Sequence, residues 1–401
     1  MLTVGDLARS PNALARHYSR FRVSERLLLT GHSHQAWPDV GFEGQQEAWT
    51  DAADLVDGKW ERAFARADRV RAGFAGLLGC PADEIALGAS THELVVRFLS
   101  ALDLARRPRL VTTDGEFHTI RRQLDRLAEE GLAVVKVALA PVDTVAERLV
   151  AATDDRTAAV LVSAVLFGNA HIVPHLDAVT ARCREVGAEL LVDAYHALNA
   201  IPFSLDPQGL DDAFVTGGGY KYCQLGEGNC FLRVPPGREH LRPVLTGWFS
   251  EFAELEHAPR GGVAYGRGPA RFAGATYDPT SHYRAARVFG FFAAQDLAPA
   301  FLRDVSRHQV GLLAERFDAL HLDPALIARD RTVPLAGVAG FLALRCPQAA
   351  DLARALSARG VWTDARGNAL RLGPAPYLSD DQLTAGVEAL GEVVRSSAYP
   401  P

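Results

Sequence analysis

The stretch 217–229, GGGYKYCQLGEGN, places Lys221 after three glycines and between two tyrosines. Lysine is scarce in this chain: Lys59, Lys136 and Lys221 are the three present, and the other basic residues are Arg. Lysine can do what arginine cannot, which is to lose its proton and attack a carbonyl. Asp193 closes the apolar run ELLVDA, and His196 follows three residues on; a helix N-cap beside a packed His is the plainer reading of that pair. Ser90 and Thr91 open GASTHELVVRFLS, where the free N–H groups of a helix start attract phosphate; a simple Ser/Thr cap is the alternative. Phe117, in DGEFHTI, either stacks on a flat ligand or packs in the core. Arg371, in LRLGPAPY, carries a fork that matches a carboxylate.

Taken singly these signals are weak. In the order Ser-Thr, Asp, Lys they specify one cofactor, pyridoxal 5′-phosphate. The helix start cups the phosphate, the carboxylate keeps the pyridine nitrogen protonated, and the lysine binds the aldehyde as a Schiff base. Two His-rich stretches, GHSH (31–34) and HIVPH (171–175), have metal-like spacing. Pro174 breaks the second, and no Cys or Glu completes either, so no metal site is expected. GGGYKY has no Ser or Thr after its lysine, which leaves a nucleotide phosphate loop without support.

The elements that must position these residues alternate. Short β-rich runs at 109–113, 132–139, 157–166, 189–194, 212–217 and 229–234 are separated by helical stretches. Strands alternating with helices predict a mainly parallel sheet covered on both faces, with ligands at the carboxyl ends of its strands. Before it, residues 40–80 have helical spacing ending at Gly79, ahead of Pro81. After it come a Gly/Pro-rich stretch at 234–279, a long helical segment from Ser281 to Leu320, and a tail of α+β character. The expected fold is α/β: a large domain at 50–285 with a sheet of the seven-stranded type, and a small α+β domain formed by 1–49 with 286–401.

A chain of 401 residues, 48% hydrophobic and 22% charged, is ordinary for a globular protein. A net charge of −6 argues against a nucleic-acid groove or a polybasic membrane patch. Five scattered cysteines with no CxxC fit reduced thiols in a cytoplasm, and neither a signal peptide nor a membrane span is expected.

On these motifs the chain resembles the pyridoxal-phosphate enzymes of the aspartate-aminotransferase fold, class V group, and among them kynureninase. GYKY resembles the family's Tyr-Lys-Tyr signature, implying that Lys221 is the Schiff-base lysine and Tyr220 a phosphate-contacting, proton-transferring tyrosine. VDAYHALNAIPF resembles its Asp-x-x-His segment, implying Asp193 at the pyridine nitrogen with His196 beside it. ASTHEL resembles the phosphate loop, giving Ser90 and Thr91, and Phe117 takes the stacking position. GWFS and FAGATYDP imply that Trp248 and Thr276 reach the cofactor or substrate of a partner subunit, hence a homodimer with shared sites. Arg371 is implied as the substrate α-carboxylate clamp, and His32 and His34 as pocket residues.

The family's Asp after the Phe-Pro-Ser/Thr run is replaced by Ile120, and CQLGEGN departs from the usual loop after the lysine. The resemblance implies hydrolytic Cβ–Cγ cleavage of kynurenine or a related γ-keto amino acid to an aryl acid and alanine. A class V aminotransferase or β-lyase is the alternative, and a non-catalytic scaffold is the second. A cysteine desulfurase is disfavoured because residues 310–340 contain no cysteine.

Overall fold

The computed structural model describes residues 2–257 and 261–396. Its centre is a seven-stranded sheet: β1 Ile85–Gly88, β2 Arg109–Thr113, β3 Ala133–Val137, β4 Thr157–Ser163, β5 Glu189–Asp193, β6 Phe214–Gly218 and β7 Cys230–Arg233. The spatial order is β1-β7-β6-β5-β4-β2-β3. The pairs from β3 to β6 are parallel, while β7 runs antiparallel to both β6 and β1. Every residue of β4 and β6 is buried, which is why both read as nearly continuous apolar runs rather than alternating ones.

Helices α1 Val40–Leu55, α2 Lys59–Leu78, α3 Thr91–Ala101, α4 His118–Glu129, α5 Val145–Ala152 and α6 Leu176–Val186 precede or punctuate the strands. After the sheet come α7 Thr280–Ala294, α8 Pro299–Ala319, α9 Ala349–Ser357 and α10 Asp380–Arg395. No helix among the described residues is long and apolar enough to cross a membrane.

The expected strands at 109–113, 157–166, 189–194 and 212–217 are present within a residue or three of their ends. Two expected helical runs are each divided. The first breaks at Val56, whose φ of 51° lies in the left-handed region. The second breaks at Asp296, with φ of 54°, before Pro299 starts α8. The α2 end is as expected, with Gly79 left-handed at the C-cap. Strand β1 is an element that sequence reasoning missed: IALG is too short and too small-sided to stand out, and it is a strand because β7 gives it a partner.

A second sheet of four strands, β8 Ala328–Arg329, β9 Leu342–Arg345, β10 Asp364–Arg366 and β11 Ala369–Leu372, is antiparallel in the order β10-β11-β9-β8. The N-terminal segment joins this part of the chain. Leu27 and Leu28 pair in parallel with Val361 and Trp362, and Thr30 bridges Gly373. These short pairings carry His32 and His34 to the same region as Arg371.

Candidate active site

The site forms at the carboxyl ends of β5 and β6, as a parallel sheet dictates. Asp193 is the last residue of β5, and Lys221 lies three residues beyond β6. The glycines before Lys221 are there for close packing. A Cβ at Gly218 would lie 2.5 Å from the Tyr195 hydroxyl and 2.6 Å from Cys230 Sγ, and one at Gly219 would lie 2.6 Å from Leu225. Any larger side chain would therefore push the lysine loop off the sheet.

Lys221 is buried, and its Nζ is 3.0 Å from His196 Nε2. The same nitrogen is 4.6 Å from the centre of the Tyr195 ring, 5.5 Å from Phe117 and 5.7 Å from Tyr220. An amine held in this apolar and aromatic shell gains little from ionising. Burial lowers its pKa to about 7, and the charge of Asp193 only partly resists. Asp193 is itself buried, which raises its pKa; the Tyr195 N–H, donating to Oδ1 at 2.8 Å, and the charge of Lys221 pull the other way. Burial, and then Lys221, keep His196 well below the ordinary histidine range, so it is neutral.

The start of α3 reaches this cluster through Cys230. Ser90 is its N-cap, accepting from the Glu93 N–H at 3.3 Å. Cys230 receives the Thr91 N–H and sits 3.9 Å from the Tyr195 hydroxyl. Tyr220 packs on Tyr195 at 4.8 Å and stacks on His34 at 4.8 Å and 17°. Burial pushes the Tyr220 hydroxyl up to about 12, so it keeps its proton at neutral pH.

Arg371 lies in β11, which pairs with β10 and so faces Asp364 across the ladder. Nη2 is ion-paired with Asp364, and Nη1 donates to the Phe167 carbonyl at 2.5 Å. Burial opposes ionisation of Asp364, but His32 and Arg371 outweigh it and hold the carboxyl far below its usual range. His32 is fully buried; its Nε2 contacts Asp364 Oδ2 at 3.5 Å without a well-aligned hydrogen bond, and burial lowers its pKa to about 4. Arg371 Nε, both ring nitrogens of His32 and the Tyr222 hydroxyl are buried without a hydrogen-bond partner. Buried polar groups in that state are ones that water or a polar ligand can satisfy. His34 is exposed, 3.7 Å from Glu227.

Trp248 and Thr276 are placed apart from Lys221. Trp248 is exposed and packs on Phe249 and Phe252. Thr276 lines a cavity of about 1150 Å³ that also touches Gly88 and Ala89, just before α3. Sequence reasoning did not single out Asp364, Tyr222, Tyr195 or Glu116. Tyr222 was legible from its place beside Lys221, but Asp364 becomes visible only once β10 pairs with β11.

The residues present fit pyridoxal phosphate. A buried amine with no carboxylate in ion-pair distance among the described residues, a buried acid whose charge it feels and the start of an 11-residue helix lie at the carboxyl ends of the strands. No protein-family model matches the chain. It is 27% identical to a kynureninase of Pseudomonas fluorescens over 404 aligned residues, which cover 96% of this chain and 93% of that one. It is 23% identical to the uncharacterized aminotransferase YcbU of Bacillus subtilis, covering 82% of this chain and 85% of the relative. Among solved structures, C-DES with glycine covalently linked to the PLP cofactor superposes with a TM-score of 0.80 at 13% identity, covering 94% of this chain and 98% of that one.

These likenesses support a kynureninase-like member of the class V group of fold-type I pyridoxal-phosphate enzymes. The shared fold covers 94% of the chain, the seven-stranded sheet included. The kynureninase-like chain nevertheless keeps two features of its own. Ile120 is buried in α4 with its apolar neighbours. The loop CQLGEGN docks onto the N-terminal segment, where Gln224 accepts from the Tyr18 hydroxyl at 2.5 Å and donates to Gln35 at 2.8 Å.

Proposed function

We propose that this protein is a pyridoxal-phosphate enzyme acting on an amino acid, and that its reaction is kynureninase-like hydrolytic cleavage of a Cβ–Cγ bond. The observation that carries the reading is Lys221: a buried amine with a pKa of about 7, beside neutral His196 and facing the Asp193 carboxylate. When bound, the cofactor supplies an aldehyde that captures amines and a protonated ring that accepts electrons.

Each residue then has a task set by its surroundings. The N–H groups at Ser90 and Thr91 hold the phosphate at the positive end of α3. Phe117 covers one face of the ring, and Asp193 keeps the ring nitrogen protonated. Lys221, unprotonated for much of the time near neutral pH, takes the Cα proton of the substrate. His196 fixes the direction of the Lys221 amine through their 3.0 Å contact. Arg371 holds the α-carboxylate with its unpaired Nε, while Asp364 and the Phe167 carbonyl lock the guanidinium in place.

Water adds to the substrate γ-carbonyl. The Cβ–Cγ bond breaks with its electron pair on Cβ, and Tyr220 delivers a proton there. The products are an aryl acid and alanine. His32, neutral and buried, and His34, stacked on Tyr220, line the substrate side. Two copies of the chain complete each other's sites, with Trp248 and Thr276 reaching across. The cavity beside Gly88 and Ala89, on which Thr276 opens, supports that arrangement.

Incubation with kynurenine and with 3-hydroxykynurenine, assaying alanine and the aryl acid, tests the reaction. No alanine above background with either substrate removes the kynureninase assignment. The similarity to an aminotransferase and the loss of the family Asp at Ile120 favour a second reading, transamination or β-elimination, for which 2-oxo acid release is the matching assay. A protein that takes up no pyridoxal phosphate, or keeps its visible absorbance in Lys221→Ala, overturns both.

A further inference from the structure

Glu116 is a buried acid with no task in the reaction above. It lies in the loop after β2 that delivers Phe117. Its Oε1 accepts from the Thr113 hydroxyl at 2.8 Å and from the Ser163 N–H at 3.2 Å, and its Oε2 is 2.6 Å from the Ser163 hydroxyl. Thr113, Ser163 and Asp193 end β2, β4 and β5, three strands adjacent in the sheet. Ser163 is the register partner of Asp193, and the Asp193 carbonyl accepts from the Ala164 N–H at 2.9 Å. Glu116 therefore clasps the strand end against which Asp193 is set.

The two carboxyls are electrostatically unequal. Asp193 faces the charge of Lys221. Among the described residues, no Lys, Arg or His lies within ion-pair distance of Glu116. The charged group that faces it is Asp193, and its loop neighbour Asp114 is turned outward to the Leu139 N–H. Two buried acids that feel each other cannot both ionise cheaply, and the proton settles on the one without a cation.

We propose that Glu116 is a positioning residue: on the acid side of neutral it holds a proton, it pins the end of β4, and it leaves Asp193 as the charged carboxylate that a ring nitrogen meets. The identity of that ring rests on the pyridoxal-phosphate reading; the carboxyl pair does not. Burial pushes Glu116 up to about 7, Ser163 and Thr113 pull it down, and the charge of Asp193 adds to the rise. Above that pH a second negative charge appears beside Asp193. It raises the proton affinity of Asp193, the nearer group, more than that of the ring nitrogen. The shared proton moves to Asp193, and the site weakens on the alkaline side. Glu116→Gln fixes the neutral state and abolishes this limb.

Carboxyl ¹³C NMR titration of the cofactor-free protein reads the pair directly. The Glu116 signal is expected to move with a midpoint near 7 rather than the ordinary 4.5, and the Asp193 signal to titrate below it with a midpoint that Glu116→Gln leaves in place, because Glu116 is still neutral there. A Glu116 midpoint near 4.5, or an Asp193 midpoint above that of Glu116, overturns the proposal. In cofactor-loaded protein, visible spectra between pH 6 and pH 9 should change with a midpoint near 7 in the native chain and stay constant in Glu116→Gln; identical profiles overturn it equally. Failure of the native chain to take up pyridoxal phosphate would instead overturn the cofactor reading and leave the NMR result standing.

Discussion

Replacing Lys221 by methionine tests the physical basis of the site. The side chain keeps its length and loses the amine. In the folded protein the Lys221 pKa falls from 10.5 to about 7. At about 1.4 kcal/mol per unit, that displacement costs the fold about 5 kcal/mol when the amine is charged. The sign follows from linkage: the folded pKa lies below the unfolded one, so the cost is paid in full below about pH 7, shrinks as pH rises, and vanishes above 10.5. The opposing pull of Asp193 is already contained in that displacement, so the gain on removing the amine is of the same order, about 4–5 kcal/mol. Lys221→Met without cofactor should thus be more stable than the native chain near neutral pH, and the gap should close in alkaline buffer. Urea unfolding midpoints of both proteins, stripped of cofactor because a ligand stabilises whatever binds it, measure this. A native chain as stable as the variant near neutral pH, or a gap that does not change with pH, refutes the claim that burial depresses this amine.

Further outcomes follow from the same geometry. Asp193→Asn should lower exchange of the substrate Cα proton about 10²-fold or more, followed by loss of the proton NMR signal in D₂O, because an amide does not hold the ring nitrogen charged. Asp364→Asn frees the Arg371 fork from its anchor; the KM for the amino acid should rise about tenfold with a smaller change in kcat, and Arg371→Lys should do worse because an ammonium cannot fork a carboxylate. Tyr220→Phe should reduce alanine release about 10²-fold while the spectrum of the loaded protein persists, separating proton delivery from binding. Trp248→Ala together with Thr276→Ala should weaken substrate turnover in the pure protein, and mixing it with inactive Lys221→Ala should restore part of the activity if subunits share sites.

Much of the site was legible along the chain because parallel α/β sheets put chemistry in order. Asp193 and Lys221 are each the punctuation after a buried β run, and the three glycines mark a backbone that must come close to something. Ser90 and Thr91 announce a helix start whatever the fold does around it. The elements that were misread are those whose identity depends on a partner. IALG is a strand because β7 lies beside it. Residues 229–234 were read correctly as a strand, but nothing local shows that they run antiparallel. The helical runs break at positive φ at Val56, a residue with no turn signature, and at Asp296, a single Asp that tolerates the left-handed region but does not by itself announce a break.

The sequence alone determined which residue types stand at the ends of the strands: a lysine, an aspartate and a Ser-Thr helix start. Those follow from local pattern and intrinsic chemistry. Tertiary structure decided what each group is. The Lys221 amine is weakly basic because aromatic rings surround it. Arg371 is anchored because β10 brings Asp364 to it, and burial raises the Glu116 pKa where three strand ends meet. Burial and neighbouring charge are properties of where the chain returns to itself, and no run of residues encodes them in place.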